Sequence, residues 1–466
     1  MTVYNKVDAQ FLAGLGKIVG KEQVFTDAPT LDKYKTDEET NPHKFHVPEA
    51  VVAPGTTEEV AAVVKLANQA NVPVTVRSAG TSLSDGAIAV KGGIVLLMER
   101  MHKILEINEA GMYMVVEAGA LTKEIQEAAK AKKLLYAGDP CSADSCMIGG
   151  NIATNAGGNR AVRYGTTRDQ VYQIEVVTPT GEIVNLGARL KKKSTGYCLE
   201  QLVMGSEGTL GIITKATLKL LPLPPYRFDL VAVFTDVAKA ADMVTKVLKA
   251  GIAPTSVEFM DNHFLQSSCQ FCELTLPHMQ DGNYIIITVE TFSEDELDMK
   301  MEQLDTLCEE NGAVDVLEAD DRVWKVRRNC QESLRVISPV SITDDVVVPV
   351  DKVADCIKFV EEHGKKYPFK VLTLAHAGDG NLHFCLCKCD LDDATWDTEV
   401  AKFHAEVYQY AYALGGRLSG EHGIGAKKLP EMATYTPAGE LNLMKEIKKA
   451  LDPKDILNPG KIFELE

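Results

Sequence analysis

Apolar residues recur at helical spacing near the start of the chain, where Phe11, Leu12, Leu15, Ile18 and Val19 share one face and Gly20 supplies a stop. Thr56-Thr-Glu-Glu59 reads as a capping box that opens a helix to about Ala70, and Val72–Arg77 follows as a buried strand. Gly93–Met98 and Tyr113–Glu117 are further strands, a helix begins at Thr122, and a hairpin turns at Pro179-Thr-Gly181. In Gly211–Leu221 the period is two: Ile212, Thr214, Ala216, Leu218 and Leu220 face one way and lysines the other. That strand runs into Pro222-Leu-Pro-Pro225, which predicts a domain boundary.

Beyond the prolines the pattern resets. FDLVAVF, a helix from Asp236 to Lys249 and TSVEFM form one strand-helix-strand unit. YIIITVETF, a helix over Glu294–Glu309 and VDVLEA form a second, and a helix over Val350–Lys366 precedes VLTLAHAGDGNLHFCL. The expected architecture is α+β, an open antiparallel sheet of duplicated halves with helices on one face. The tail from about Lys427 is helical and ends in LDPKDILNPGKIF, whose Asn, Pro and Gly predict docking back onto the first domain.

Three segments break these patterns with closely spaced glycines: Ser78–Gly86, Pro140–Gly165 and Gly205–Gly211. Glycine adopts positive φ and admits main-chain N–H groups to phosphate oxygens, so three such loops ask for a ligand of dinucleotide size. A Rossmann nicotinamide site is excluded. Gly14-Leu-Gly16 lies inside a helix, and Gly378-Asp-Gly380 is not followed by the third glycine of the fingerprint. No Walker lysine follows any glycine loop, which excludes a P-loop.

The 466 residues allow about three units of ~150. A net charge of −17 argues against nucleic acid or an anionic membrane as main partner. The 11 cysteines include only two loose groupings, Cys269/Cys272 and Cys385/Cys387/Cys389, and lack the spacing of a cluster or zinc knuckle. With no signal core and no run of membrane-spanning length, the expectation is a cytoplasmic protein without a membrane span.

Metal-binding chemistry concentrates in His376-Ala-Gly-Asp-Gly-Asn-Leu-His383. With Asp379-Gly380 at the centre of a tight turn, His376 and His383 become direct cross-strand neighbours, roughly 5 Å apart at Cβ. Glu421 and His422, in the glycine-flanked Gly415–Gly425, add a carboxylate ligand and an uncoordinated imidazole. Two histidines and a carboxylate leave coordination positions open to substrate, as in catalytic zinc or non-haem iron sites. A lone histidine is more often structural, and His43, His46, His102, His263, His278, His363 and His404 keep that reading. Three of the 10 histidines in two glycine-rich loops beside a Glu do not.

PGTTEEV, VRSAGTSLSDGA, GDPCSADSCMIGGNIATNAGGNRAVRYGTTRD, MGSEGTLGIITKATLKLLP, AHAGDGNLH, SGEHGIG and DPKDILNPGK together resemble the flavoproteins of vanillyl-alcohol-oxidase (PCMH-type) fold. Within it, the match is to the branch of D-lactate dehydrogenases, glycolate oxidase D-subunits and D-2-hydroxyglutarate dehydrogenases, from about residue 45 to the end. Beyond the N-terminal helical segment over 1–45 that the apolar spacing predicts, the resemblance implies a two-subdomain FAD-binding domain over 46–225, an antiparallel-sheet cap for substrate and metal over 226–425, and a C-terminal helical return over 426–466.

It implies FAD contacts at Ser78, Ala79, Gly80, Thr81, Ser82, Leu83 and Gly86 in the first loop. Pro140, Ser142, Gly149, Gly150, Ile152, Ala156, Gly157, Gly158, Tyr164 and Gly165 follow in the second, with Glu207, Gly208, Ile213 and Asn458 completing the set. Thr81 stands where covalent members carry the flavin-linking histidine, so the expected FAD is non-covalent. Arg327 matches the family position that anchors the substrate carboxylate, which a guanidinium grips in two-pronged fashion.

The implied reaction is oxidation of a small D-2-hydroxy acid on one divalent ion (zinc, iron(II) or manganese) held by His376, His383 and Glu421. His422 takes the hydroxyl proton and the C2 hydrogen leaves as hydride to FAD. A loose alignment puts Gln331 and Thr343 where the hydroxyglutarate subgroup has threonine and lysine, which favours a monocarboxylate, D-lactate above all. Glycolate and D-2-hydroxyglutarate are the alternatives within the family. No cluster, haem or nicotinamide site is visible to take the electrons, so a partner such as electron transfer flavoprotein is implied, as in bacterial electron-bifurcating lactate dehydrogenase complexes. Outside the family, a metal-dependent hydrolase would use the same His/His/Glu/His set but leaves the glycine loops without a role.

Overall fold

Asp8 accepts a hydrogen bond from Phe11 N at 2.7 Å, and this cap starts the helix Ala9–Val19, which buries Phe11, Leu15 and Val19. Burial of each such side chain contributes on the order of 1.5–3 kcal/mol. In the computed structural model, residues 3–39 and 41–465 are described. At the next helix, Thr57–Ala70, Thr56 Oγ1 accepts from Glu59 N at 3.2 Å, while Glu59 reaches past Thr56 to accept from Gly55 N at 2.6 Å. The expected capping box is therefore half formed and offset by one residue. The following strand starts at Val74 rather than Val72, after Pro73, which has no N–H for the ladder.

The chain divides into two units. The first comprises the residues up to Ala156, Thr166–Leu223 and the chain from His422 onward. It contains a four-stranded mixed sheet ordered Val24–Phe25, Ala50–Val52, Ile94–Leu97, Val74–Arg77. Beside it in this unit is a five-stranded antiparallel sheet ordered Ile104–Asn108, Tyr113–Glu117, Ile212–Lys219, Val171–Val177, Ile183–Gly187. In Ile212–Lys219 half of the second face is buried too, at Ile213 and Thr217, so only Lys215 and Lys219 follow the expected polar face. The C-terminal tail returns to this unit: Val74 N donates to Ile456 O and Asn458 N to Val74 O, both at 2.8 Å, extending the four-stranded sheet by a parallel bridge.

The second unit comprises Gly157–Gly165 and Pro224–Glu421. Its seven-stranded antiparallel sheet runs Asp315–Glu318, Tyr226–Phe234, Asn283–Thr291, Ser256–Met260, Lys370–His376, Asn381–Cys387, Ser341–Val347. Helices Val237–Lys249, Glu294–Glu310 and Val353–Gly364 belong to the helical layer the sequence predicts. A further layer joins it: Asn262–Cys272, Asp321–Arg328 and Cys330–Ile337 pack with Val231, Met260, Ile286, Leu374 and Cys385. Gly157–Gly165, expected with the FAD domain, belongs to this second unit because Arg163 donates to Glu290 O (2.7 Å) and Thr255 Oγ1 (3.0 Å) while Tyr164 OH donates to Glu290 Oε2 (3.2 Å).

Candidate metal and substrate site

Residues Lys370–His376 and Asn381–Cys387 form a hairpin whose register pairs His376 with Asn381 and Leu374 with His383. Gly378-Asp379 occupies the centre of the turn, one residue earlier than expected. His376 and His383 are consequently diagonal neighbours on one face rather than opposite one another. The turn is shifted by its bonds: Asp379 N donates to His376 O (3.2 Å), Gly378 N to Val257 O on the adjacent strand (3.0 Å), and Asn381 N to Asp379 Oδ1 (3.1 Å). Gly380 then turns with φ +93°, and a Cβ there would lie 2.1 Å from Val348 O. Burial pushes the Asp379 carboxyl up to about 7, against the pull of His376.

The diagonal pairing still brings the rings together, with centroids 5.2 Å apart and planes at 87°. Glu421 Oε1 lies 3.3 Å from Nε2 of His376 and 3.3 Å from Nε2 of His383. Although burial raises the Glu421 carboxyl, the two imidazoles outweigh it and hold the group well below its ordinary range. One donor atom from each of the three residues lies within 4.8 Å of the others, and among the described residues no other trio of His, Cys, Asp and Glu does so. Neutral imidazole nitrogens and an ionised carboxylate suit zinc, iron(II) or manganese.

Two buried acids that sequence reasoning missed hold this trio in place. Glu258, on Ser256–Met260, pairs directly with His376 across the strands, and both its oxygens lie 2.9 Å from Nδ1. Asp345, on Ser341–Val347, pairs with His383. Its Oδ2 accepts from Ser419 Oγ (2.9 Å), Gly420 N (2.8 Å), Glu421 N (3.1 Å) and Asn381 Nδ2 (3.2 Å), which sets the loop that presents Glu421. The sequence signal was an acid inside a buried strand, between Val257 and Phe259 for Glu258 and just ahead of Val346 and Val347 for Asp345. Arg327 is 4% exposed, and its Nη2 lies 2.5 Å from Glu258 Oε2. Gln331, on the next helix, accepts from Thr343 Oγ1 at 2.8 Å.

His422 opens the return of the chain into the first unit, where its carbonyl accepts from Ser84 Oγ at 2.8 Å. Of the residues expected at FAD, Ser78, Ala79, Gly80, Thr81, Ser82, Leu83 and Gly86 follow the strand Val74–Arg77, with Ser82 Oγ accepting from Gly86 N (3.1 Å). Pro140 and Ser142 precede the helix Ile148–Thr154, which contains Gly149, Gly150 and Ile152, and Ala156 follows it. Gly149 is needed for close approach, since a Cβ there would lie 2.8 Å from the Cβ of Ala118. Gly86, Glu207 and Asn458 are drawn together: Asn458 Nδ2 donates to Glu207 O (2.7 Å) and Gly86 O (3.2 Å). Glu207 is itself occupied, its carboxylate accepting from Ile424 N (2.8 Å) and Gly425 N (2.7 Å), while Gly208 and Ile213 follow it in the same unit. Gly157, Gly158, Tyr164 and Gly165 lie in the second unit. A Cβ on Gly157 would lie 2.8 Å from Glu421 Oε2. Among the described residues no helix is long and apolar enough to cross a membrane.

Residues 223–462 match the family of FAD linked oxidases, C-terminal domain, and residues 48–187 match the FAD binding domain. The chain is 36% identical to a D-lactate dehydrogenase of Anaerostipes hadrus over 98% of both chains, and 35% identical to the glycolate oxidase subunit GlcD of Bacillus subtilis over 91% of both. A D-2-hydroxyglutarate dehydrogenase of Stutzerimonas stutzeri is 32% identical over 98% of this chain and 99% of its own. Among solved structures, p-cresol methylhydroxylase with substrate bound aligns with a TM-score of 0.82 at 17% identity, covering 99% of this chain and 98% of that one, which shows the shared PCMH-type fold. The chain therefore belongs to the FAD-linked oxidase family that contains these dehydrogenases, and it is an FAD-linked oxidoreductase.

Proposed function

We propose that the protein oxidises a small D-2-hydroxy acid, D-lactate in the first place, to the 2-oxo acid. The observation that carries this reading is the convergence of His376, His383 and Glu421 within 4.8 Å in an FAD-linked oxidoreductase. A divalent cation held by these three would supply Lewis-acid polarisation of the substrate hydroxyl. FAD, when bound, supplies the two-electron acceptor for the C2 hydrogen.

The protein's own side chains do the rest. Arg327 binds and orients the substrate carboxylate, and a guanidinium suits that task because it presents parallel donors. His422 accepts the hydroxyl proton at a ring nitrogen, a role suited to a group that titrates near neutral pH. Gln331 and Thr343 satisfy one another without a cation, so a second carboxylate at that end of the site would lack a charged partner, which favours a monocarboxylate over a dicarboxylate. The electrons then pass to a separate carrier, electron transfer flavoprotein or a protein like it.

Anaerobic titration of the FAD-loaded protein with R- and S-2-hydroxy acids tests the reading. D-lactate should bleach the oxidised-flavin spectrum, with glycolate and D-2-hydroxyglutarate slower. Absence of bleaching by every 2-hydroxy acid would overturn it.

A further inference from the structure

Glu258 is a carboxylate with no exposure in a five-residue strand that is buried throughout. An ion placed there without compensation costs several kcal/mol, so its partners determine what it is for. Two surround it: both oxygens reach His376 Nδ1 at 2.9 Å, and Oε2 also receives Arg327 Nη2 at 2.5 Å. The Arg327 guanidinium, a permanent cation seated on Oε2, holds Glu258 as an acceptor that offers no proton.

We propose that Glu258 is the positioning residue of the metal site, a carboxylate that fixes the tautomer and the ring plane of His376. The inference rests on the reading that His376, His383 and Glu421 hold a divalent cation. An ionised carboxylate only accepts, so the hydrogen of a neutral His376 must sit on Nδ1. Nε2 is then left with its lone pair directed at the point shared with His383 Nε2 and Glu421 Oε1, each of which has a 3.3 Å contact in the trio. The opposite tautomer would set two lone-pair-bearing groups, Nδ1 and the carboxylate, against each other in a buried strand pair, and would block the ligand nitrogen with a proton. Because Glu258 and His376 are register partners on adjacent strands, the sheet itself sets this contact, and it does not depend on a mobile loop. The same carboxylate carries Arg327, so the group that orients a metal ligand also locates the cation proposed for the substrate carboxylate.

The test uses chelator-stripped protein that retains FAD, titrated with Mn(II) while free Mn(II) is followed by electron paramagnetic resonance. Wild type should bind Mn(II) at a site that H383A abolishes, and E258Q, similar in shape but uncharged, should bind about 10–100-fold more weakly. E258D, which keeps the charged acceptor, should recover part of the loss. Equal affinity of wild type and E258Q overturns the proposal while leaving the metal site standing; a wild type with no H383A-sensitive binding overturns both. Should E258Q fail to fold, nitrogen-15 spectra of histidine-labelled wild type, with His376 assigned through H376Q, decide the matter: a proton on Nδ1 is expected, and a proton on Nε2 overturns the proposal.

Discussion

His376 and His383 meet edge to face, 5.2 Å between ring centroids, from diagonal positions across their hairpin. The diagonal follows from a turn centred on Gly378-Asp379 and completed by Gly380 at φ +93°. A G380A variant puts a Cβ 2.1 Å from Val348 O and a side chain in the left-handed region. It should lose about 2 kcal/mol or more of stability, read by denaturant melts. An unchanged midpoint would show that the turn relaxes freely.

Asp345 gathers four donors on one oxygen, two of them backbone N–H groups in the loop that delivers Glu421. D345A leaves these donors without their acceptor, so a loss of about 2–4 kcal/mol in stability is expected together with weaker metal retention. D345N keeps an accepting oxygen and should fall between. Calorimetry and metal analysis of dialysed protein check both effects; full metal content in D345A would contradict the role given to the loop.

Asp85 responds to pH in the opposite sense to an ion-paired acid. Burial pushes its carboxyl from 3.8 up to about 6, with Lys44 Nζ at 3.7 Å providing partial relief. Between about pH 4 and 6 the folded chain holds a proton that the unfolded chain releases, so this group's contribution to stability falls as pH rises through that window. D85N stays neutral and, at φ +61°, occupies a backbone region that asparagine tolerates. Its stability relative to wild type should improve from pH 4 to pH 7 by at most about 3 kcal/mol. A difference independent of pH would contradict this.

His422 is assigned the proton in the proposed reaction. H422A should slow flavin reduction by roughly 100-fold or more while FAD remains bound. Stopped-flow reduction by D-lactate measures it, and a rate near wild type would remove His422 from the reaction.

Local periodicity made much of the fold legible. Strand periods and the capped helices lie close to where the pattern places them, because each is decided by neighbours in sequence. The convergence of His376, His383 and Glu421 was legible because the two histidines are seven residues apart and Glu421 stands in a glycine-flanked loop. The turn register was not: Gly378 N bonds Val257, a partner more than a hundred positions away. Glu258 and Asp345 escaped for the same reason, since an acid in SVEFM or ITDDVVV acquires meaning only when the sheet sets it beside His376 or His383. The placement of Gly157–Gly165 likewise depends on Glu290, which its own sequence does not announce.

In the proposed reaction His376, His383 and Glu421 make one cation essential to oxidation of the hydroxy acid. Single-turnover reduction of the bound flavin by D-lactate, before chelation, after it, and after the metal is restored, tests this most directly. At least a 100-fold loss is expected on chelation and full recovery on restoring zinc, manganese or iron(II), with H383A slow throughout. A metal-free protein that is reduced at the original rate would contradict it.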